Sequence, residues 1–230
     1  MHKWAHYFEI YEQNFSKFKN KNIKFLEIGV WKGGSIQMWQ DYFGKDSLFI
    51  GIDVDQKCKE YESDNVKIEI GNQNDQDFLL EVINKYGPVD IIFDDGSHIC
   101  KDQIQSLNTL FPNMLADDGV YLIEDCHTSY HDFFNLDYKS GYNLANYCKS
   151  LVDEMYSYYL PGQNITYWSN HLKSISFYDS VIAIHKKKRE NTPYDLEIFN
   201  GDILGDGIFR KGMNESSIKK KDNIIESEDI

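Results

Sequence analysis

Residues 88–98 read Pro-Val-Asp-Ile-Ile-Phe-Asp-Asp-Gly-Ser-His, and this stretch sets the architecture of the chain. The apolar run within it is too short and too rich in β-branched residues for a helix, and it predicts a buried β-strand. The strand ends abruptly in two carboxylates, Asp94 and Asp95, which are followed by a glycine, a serine and His98. We expect polar groups in this position to lie at one edge of a sheet, where ligands bind.

A second short apolar run, residues 119–123, ends in Glu124 and Asp125. Two buried strands that both stop in paired acids bring four carboxylates to the same edge of a sheet. Either pair alone is equally consistent with a turn or a polar strand end. Both pairs in one chain, with His98 between them, favour a functional site.

The composition is that of a globular domain, since 41% of the 230 residues are hydrophobic and 15% are aromatic. A chain of this length forms one domain with a full core and modest extensions. Its formal net charge is −13, and such a surface repels nucleic-acid backbones and anionic membranes. The composition therefore argues against nucleic acid or a membrane as the main partner. It favours a small polar substrate or a cationic cofactor.

The four cysteines are scattered and lack the spacing of a zinc site: they are Cys58, Cys100, Cys126 and Cys148. We interpret them as reduced thiols, because disulfide frameworks are typical of small secreted proteins. The first residues lack the apolar core of a signal peptide, and no apolar run is long enough to span a membrane. The chain is therefore expected to be soluble and cytoplasmic.

Strands and helices alternate along the centre of the chain. The pattern predicts strands over residues 23–30, 47–55 and 66–70, and helices over residues 36–43, 78–86 and 100–115. Such alternation predicts a mostly parallel sheet that binds ligands at the carboxyl ends of its strands. A turn is expected at residues 116–119. Residues 174–178 and 180–185 flank a second turn and predict a late antiparallel hairpin.

The first predicted strand runs into a glycine-containing turn at residues 29–35. Glycine lets the backbone amides at a helix start approach a ligand closely. Asp53 ends the second strand about twenty residues further on, where a carboxylate can accept hydrogen bonds from a ribose diol. The polar loop 71–75, which contains Gln73, could contact an adenine edge. The glycine spacing is not that of a nicotinamide-binding motif.

The N-terminal segment, residues 1–22, is predicted to form an amphipathic helix over residues 3–19. Its aromatic residues are spaced for one helical face: Trp4, Phe8, Tyr11, Phe15 and Phe18. We expect this face to pack on the sheet. Alternatively, His6, Tyr7 or Tyr11 could reach a ligand pocket from the helix.

We assign residues 23–186 to the central domain. Within it, the Tyr- and Asn-rich residues 127–170 predict a substrate-side insertion or lid that includes a helix near residues 144–159. Residues 187–230 are a polar C-terminal extension. Its last part, residues 212–230, is expected to be mobile, because a polar end without apolar periodicity cannot bury a core.

Four ordered motifs together resemble the metal-dependent sugar O-methyltransferases of macrolide biosynthesis, the mycinamicin and macrocin type. These are class I S-adenosylmethionine-dependent methyltransferases. The motifs are Leu26–Ser35, Gly71–Asp75, Asp94–His98 and Ile123–Tyr130. The resemblance covers residues 5–186 and implies a Rossmann-like α/β fold. In that fold a twisted, mostly parallel sheet ends in a C-terminal antiparallel hairpin and carries helices on both faces. Asn72 departs from the family, whose members usually have an acid there.

The resemblance also implies two cofactors, S-adenosyl-L-methionine and Mg²⁺ or another divalent cation. It assigns Asp95, Glu124 and Asp125 to the metal and His98 to the role of general base. On the cofactor side it implies Glu27, Gly29, Ser35, Asp53, Gln73 and Asp94. The opposite assignment of the neighbours Asp94 and Asp95 stays open. Members of the family often self-associate, so a homo-oligomer is compatible with the resemblance.

The residue types suit these roles in their own right. An aliphatic hydroxyl is a poor nucleophile, but coordination to a hard cation lowers its pKa enough for an imidazole to take the proton. Oxygen ligands favour Mg²⁺ over zinc. Two neighbouring residues have more than one interpretation. His127 is either a contact near the site or a helix-start histidine without a ligand, and Cys126 is best explained as a small apolar filler.

Three functional hypotheses follow. The first is a metal-dependent O-methyltransferase that acts on a sugar hydroxyl of a glycosylated or nucleotide-sugar-like acceptor. The wealth of Lys, Asn and Ile is typical of an AT-rich bacterial genome, so a surface or capsular polysaccharide precursor is as reasonable an acceptor as a natural product. The second keeps the cofactor but takes a non-sugar acceptor, such as a catechol-like diol or a phosphoryl oxygen. The third is a non-catalytic binding module, against which the four carboxylates and His98 argue.

Overall fold

The computed structural model describes residues 2–131, 143–160, 162–189, 196–199 and 202–205. The chain divides into two compact units, Met1–Lys188 and Arg189–Ile230. In the second unit, the described strands Leu196–Phe199 and Asp202–Gly205 pair antiparallel. Residues 132–142 of the predicted insertion and the predicted mobile tail 212–230 lie outside the described residues. None of the helices in the described ranges has the length and apolar character needed to cross a membrane.

The first unit alternates strands and helices. Its strands are β1 (Lys24–Ile28), β2 (Leu48–Asp53), β3 (Val66–Ile70), β4 (Val89–Asp94), β5 (Leu115–Ile123), β6 (Leu172–Tyr178) and β7 (Val181–Lys186). Its helices are α1 (Tyr7–Phe15), α2 (Gly34–Phe43), α3 (Gln76–Tyr86), α4 (Cys100–Asn113), α5 (Leu144–Tyr156) and α6 (Tyr167–His171). The strands form one sheet in the order β3-β2-β1-β4-β5-β7-β6. Neighbours from β3 to β5 are parallel, whereas β7 is antiparallel to both β5 and β6.

Alternate side chains of the strands pack into two apolar cores, one on each face of the sheet. One core contains Ile92 and Tyr121 and packs against α3, α4 and α5. The other contains Phe93 and Leu122 and packs against α1 and α2. Helices therefore cover both faces, which confirms the predicted α/β class with its C-terminal antiparallel hairpin.

The register of the central strands places their polar ends side by side. Ile28 on β1 pairs with Asp94 on β4, which in turn pairs with Ile123 on β5. One residue further along, the Asp95 amide donates to the Ile28 carbonyl at 2.9 Å and the Glu124 amide donates to the Asp94 carbonyl at 2.9 Å. The acids that follow β4 and β5 therefore lie next to each other at one edge of the sheet, as the sequence predicts.

The N-terminal helix is shorter than predicted, and the prediction of its buried face is wrong in part. α1 begins only at Tyr7, and a 3-10 turn, Ser16–Phe18, follows it. Trp4 and Phe8 are 40% and 44% exposed. The buried residues of α1 are Tyr7, Ile10, Tyr11, Asn14 and Phe15. This second set has helical spacing too, and it buries Ile10 in place of Trp4 and Phe8.

Two other boundaries differ from the prediction. The turn expected at residues 116–119 lies within β5, whose pairing with β4 shifts register between Val89 and Ile91. Asp118 adopts a φ of +62° there. The helix predicted near residues 144–159 ends as an α-helix at Tyr156 and continues as the 3-10 turn Ser157–Tyr159.

Candidate active site

A cavity of about 590 Å³ lies at the carboxyl ends of the parallel strands. Its wall is formed by loops that follow β1, β2, β3, β4 and β5, together with His2 and Lys3 from the N-terminal segment. A cavity of this size accommodates a drug-sized molecule. Most of the predicted site residues line it: Gly29, Ser35, Asp53, Gln73, Asp95, His98 and Asp125. The predicted residues that do not line it are Glu27, Asp94 and Glu124.

The glycine-containing turn after β1 passes very close to the strand-end acids. Gly29 has a φ of +93°, and a Cβ atom added there would lie 2.1 Å from the carbonyl oxygen of Asp95. Gly33, with a φ of +68°, precedes α2, and a Cβ there would meet the Tyr61 ring at 2.7 Å. Both positions need glycine, because they combine a left-handed backbone with a close neighbour. The start of α2, which carries Ser35, therefore lies at the cavity.

Asp53 holds the glycine-containing turn in place. Its Oδ2 accepts hydrogen bonds from the amides of Val30 at 2.9 Å and Trp31 at 2.8 Å. Its Oδ1 accepts from the Asp55 amide at 2.9 Å. The carboxylate lines the cavity and also fixes the backbone of the wall around it.

Gln73 connects the loop after β3 to the acid-containing loop after β4. Its Oε1 accepts a hydrogen bond from the Ser97 amide at 2.7 Å, and its Nε2 donates to Asp94 Oδ1 at 3.2 Å. The side chain is 4% exposed. Gln73 therefore lines the cavity and positions the turn that precedes His98.

Asp94 lies behind the cavity wall rather than on it. Its side chain is fully buried, and Oδ2 accepts hydrogen bonds from the hydroxyls of Ser106 at 2.8 Å and Tyr121 at 3.1 Å. Burial raises the pKa of the Asp94 carboxyl, and these hydrogen bonds oppose the rise. The predicted direct contact with a cofactor does not fit this placement, because the carboxylate is enclosed by its own partners. It contacts the cavity wall through Gln73 and through the Gly96 amide, which donates to Asp94 Oδ1 at 3.4 Å.

Glu27 is likewise buried, at 1% exposure. Burial raises the pKa of its carboxyl to about 8, and the nearby Ser35 hydroxyl and Lys3 ammonium lower it in part. The side chain does not line the cavity, so the predicted contact of Glu27 with a cofactor does not fit this placement.

Three side chains form a cluster whose ligand atoms all lie within 4.8 Å of one another: Asp95, His98 and Asp125. His98 Nε2 lies 3.9 Å from Asp95 Oδ1 and 3.7 Å from Asp125 Oδ2. Both His98, with a φ of +58°, and Asp125, with a φ of +55°, adopt the left-handed conformation. Non-glycine residues in that conformation are uncommon and occur often at functional sites.

Glu124 lies beside this cluster but faces other partners. Its Oε1 accepts a hydrogen bond from the Lys3 ammonium at 2.9 Å, and its Oε2 accepts one from the Tyr11 hydroxyl. Burial and the neighbouring Asp95 raise the pKa of Glu124 to about 7, while Lys3 opposes the rise. The Lys3 ammonium also donates to Asp95 Oδ2 at 2.5 Å. One cation of the chain thus bridges two of the three predicted metal ligands.

Helix α1 supports the acids from the other side. The Tyr7 hydroxyl donates to Asp125 Oδ1 at 2.6 Å, and Tyr11 donates to Glu124. The pKa values of both phenols are raised, chiefly by burial, so both remain hydrogen-bond donors. Two of the three N-terminal residues considered from the sequence therefore contact the acids. The third, His6, lies within 3.2 Å of the Asp179 carbonyl instead.

His127 packs beside the site. Its ring stacks on Trp4 with centroids 4.7 Å apart, and Nδ1 lies 2.6 Å from the Ser180 hydroxyl. Both contacts were missed by sequence reasoning, as was Lys3. His127 lies in the motif Ile123–Tyr130, and a contact near the site was one of its two interpretations. Its partners Trp4 and Ser180, like Lys3, belong to none of the four motifs.

The donor set fits the divalent cation that the sequence predicts. Carboxylate oxygens from two strand ends and one imidazole nitrogen face a common point, and hard divalent ions prefer such oxygen-rich surroundings. Asp95 and Asp125 each keep one oxygen directed at the cluster while the other accepts from Lys3 or Tyr7. To bind the metal, Glu124 would have to lose its hydrogen bond from the Lys3 ammonium.

The chain is similar in sequence to several known O-methyltransferases. The chain is 34% identical over 200 residues to demethylmacrocin O-methyltransferase of Streptomyces fradiae, covering 80% of this chain and 50% of that protein. It is 32% identical over 196 residues to mycinamicin VI 2''-O-methyltransferase of Micromonospora griseorubida, covering 78% and 48%. The chain thus spans about half the length of these relatives. No protein-family model matches it.

A solved structure is similar over the same region. The MycE methyltransferase of the mycinamycin pathway, in complex with Mg, S-adenosylhomocysteine and mycinamycin VI, superimposes with a TM-score of 0.75 at 30% identity. The match covers 81% of this chain and 50% of that one. Sequence and structure therefore point to the same group of proteins.

Proposed function

Since this chain is a homologue of the macrolide sugar O-methyltransferases and has their class I methyltransferase fold, we propose that it methylates a sugar hydroxyl. The methyl donor is S-adenosylmethionine and the reaction depends on a divalent metal. The main support is the Asp95–His98–Asp125 cluster, whose three side chains line the same cavity as the glycine-containing turn. That cavity offers room for a cofactor beside a cation site.

The methyl donor is proposed to bind along the loops after β1, β2 and β3. Gly29 and Ser35 present backbone and hydroxyl groups at the start of α2, Asp53 faces the ribose, and Gln73 faces the adenine side. S-adenosylmethionine carries a sulfonium and an ammonium group, and the acidic edge of the cavity favours both. The similar MycE structure holds S-adenosylhomocysteine.

The divalent ion, most suitably Mg²⁺, is proposed to bind Asp95 and Asp125, with Glu124 as a third ligand. When bound there, such an ion would supply Lewis acidity that lowers the pKa of the acceptor hydroxyl. Tyr7 fixes Asp125 and leaves that residue's second oxygen directed at the cluster. Positioning of an acceptor contributes up to about 7–11 kcal/mol to a bimolecular reaction.

His98 is proposed as the general base. Its Nε2 lies beyond hydrogen-bond distance of both neighbouring carboxylates, at 3.9 and 3.7 Å. The carboxylates are nevertheless close enough to stabilise the imidazolium that forms when Nε2 takes the acceptor proton. Two features direct the His98 ring toward Asp95 and Asp125: the left-handed backbone at His98 and the hydrogen bond that the Ser97 amide donates to Gln73 Oε1.

The acceptor is proposed to be a glycosylated small molecule or a nucleotide-sugar-like precursor of a surface polysaccharide. The relatives are named for demethylmacrocin, for mycinamicin VI and for a rhamnosyl tetracenomycin. The polar composition of residues 127–170 suits a polar acceptor. We place the protein in the cytoplasm, because all four cysteines are free and buried, which suits a reducing compartment.

Calorimetry followed by an acceptor screen tests this function. Titration with S-adenosylhomocysteine should give saturable binding, and an absence of binding at about 1 mM would remove the whole class. Transfer of labelled methyl groups should then occur to a glycosylated macrolide or a nucleotide sugar only when Mg²⁺ is present. Transfer only to a catechol or a phosphoryl compound would favour a non-sugar acceptor. Cofactor binding without transfer to any acceptor would favour a binding module.

A further inference from the structure

Lys3 is a buried cation in the acidic site. Its side chain is only 3% exposed, and its ammonium donates to Asp95 Oδ2 at 2.5 Å and to Glu124 Oε1 at 2.9 Å. The ammonium also lies 4.8 Å from the centroid of the Phe93 ring. A lysine is rarely buried unless it is paired, so these two carboxylates account for its position.

The Lys3 contacts compete with the proposed metal ligands. Both oxygens of Glu124 are occupied, one by Lys3 and the other by Tyr11. Asp95 gives one of its two oxygens to the same ammonium. A divalent ion bound by Asp95 and Glu124 would lie within a few ångströms of the Lys3 ammonium, and like charges at that distance repel each other.

The segment that carries Lys3 can move without loss of regular structure. Residues 2–6 precede α1 and belong to no helix or strand. Their contacts with the rest of the protein include those of Lys3 itself, the stacking of Trp4 on His127 and the approach of His6 Nε2 to the Asp179 carbonyl oxygen at 3.2 Å. His2 and Lys3 also form part of the cavity wall. Release of the ammonium would therefore change the wall of the cavity as well as its charge.

We propose that Lys3 is a tethered occupant of the metal site, which the divalent ion displaces from Asp95 and Glu124 when it binds. This inference rests on the proposed metal-dependent function. Before loading, the ammonium neutralises two neighbouring acids, the buried Glu124 and the half-buried Asp95, that would otherwise repel each other. After loading, the ion takes over that role, and the N-terminal segment with Lys3 moves away from the acids.

Two measurements on the full chain test the displacement. The first is calorimetry with Mn²⁺ alone, comparing the wild type, Lys3→Met and the control Lys21→Met, which removes the same charge from an exposed lysine. Lys3→Met should bind Mn²⁺ at least about tenfold more tightly than wild type, because no ammonium has to leave. Lys21→Met should bind like wild type.

The second measurement follows Lys3 directly in the wild-type protein, so it does not depend on how the variant folds. Acetylation by an N-hydroxysuccinimide ester, located by mass spectrometry, should be slow at Lys3 without metal because the amine is buried. Saturating Mg²⁺ should speed it at least about tenfold, with no change at Lys21.

The outcomes separate this inference from the proposed function. If the wild type binds Mn²⁺ while Lys3 stays protected, the displacement is overturned and the metal-dependent function stands. The same conclusion follows if Lys3→Met binds no more tightly than wild type. Binding by Lys3→Met alone would also overturn displacement, since the ammonium would then exclude the ion. If no variant binds Mn²⁺, the proposed metal site itself fails.

Discussion

The carboxylates of Asp94 and Asp95 point to opposite faces of the sheet, although the two residues are neighbours in the chain. Asp94 faces Ser106 of α4 and is fully buried. Asp95 faces Lys3 and His98 and lines the cavity. Because the Asp94 carboxylate is enclosed by Ser106, Gln73 and Tyr121, only Asp95 of this pair can meet the proposed metal. The sequence left open which of the two acids faces the metal. In the structure Asp95 lines the cavity and Asp94 is buried in the protein interior.

Asp94→Asn should lower stability rather than cofactor affinity. An amide nitrogen in place of an oxygen would face donors from Ser106, Gln73 or Tyr121, at a cost of about 1–3 kcal/mol. Urea unfolding should show this loss, while the affinity for S-adenosylhomocysteine changes by less than about threefold. Asp46→Asn, at an exposed position, is the control and should change neither. A large loss of cofactor affinity with unchanged stability would show that Asp94 contacts the cofactor directly, as the resemblance implies.

Asp95→Asn should weaken metal binding and abolish stimulation by Mg²⁺. The substitution removes a charged ligand but keeps the shape of the side chain, so Mn²⁺ affinity should fall at least about tenfold. Calorimetry with Mn²⁺ and methyl transfer against Mg²⁺ concentration measure the two effects. Asp64→Asn, which is exposed, should behave like wild type. Undiminished Mg²⁺ stimulation in Asp95→Asn would exclude Asp95 as a ligand.

His98→Ala should reduce turnover while cofactor binding persists. Removal of a general base lowers the rate by about 10²–10⁴-fold, whereas the cofactor is proposed to bind along the loops after β1, β2 and β3. Steady-state kinetics and calorimetry with S-adenosylhomocysteine separate the two quantities. His171→Ala, on α6, is the matched control. Equal activity in His98→Ala would remove the base assignment.

Gly29→Ala should destabilise the protein more than Gly44→Ala. Both glycines have positive φ values, +93° and +99°, but a Cβ at Gly29 would lie 2.1 Å from the Asp95 carbonyl oxygen and one at Gly44 would meet nothing within 4 Å. Backbone strain alone costs about 1–3 kcal/mol at either position. The additional clash should make the Gly29→Ala loss larger in urea unfolding and weaken binding of S-adenosylhomocysteine. Equal losses in the two variants would contradict the close approach.

Glu27→Gln should change how stability depends on pH. Burial raises the pKa of Glu27 to about 8 from 4.5, so the folded protein binds a proton that the unfolded chain releases between these values. Stability from this group is present below pH 4.5 and falls as pH rises toward 8, by up to about 1.4 kcal/mol per pH unit. Glutamine does not titrate, so this loss is absent in the variant. In urea unfolding, the free energy of unfolding of Glu27→Gln should therefore rise relative to that of wild type from pH 5 to pH 8.

The control for this pH dependence is Glu81→Gln, at an exposed position on α3. Its stability curve should run parallel to that of wild type across the same range. Parallel curves for Glu27→Gln as well would show that Glu27 is charged in the folded protein at pH 7.

Local sequence patterns were sufficient for the fold and for the position of the acids. Strand-length apolar runs that end in carboxylates require a sheet edge lined with acids, and alternation with helices requires parallel strands. Both requirements depend only on short-range periodicity. Where two registers had equivalent spacing, as for Trp4 and Phe8 in the N-terminal helix, the pattern could not choose between them.

Contacts between distant parts of the chain were beyond such patterns. Lys3 meets Asp95 and Glu124 across separations of 92 and 121 residues, and Tyr7 meets Asp125 across 118. Side-chain spacing carries no record of these pairs, because they depend on how α1 and its preceding segment pack against the sheet. The chemical types at the site were thus readable from the chain, whereas the direction of each carboxylate and the cation that neutralises them arise from packing in three dimensions.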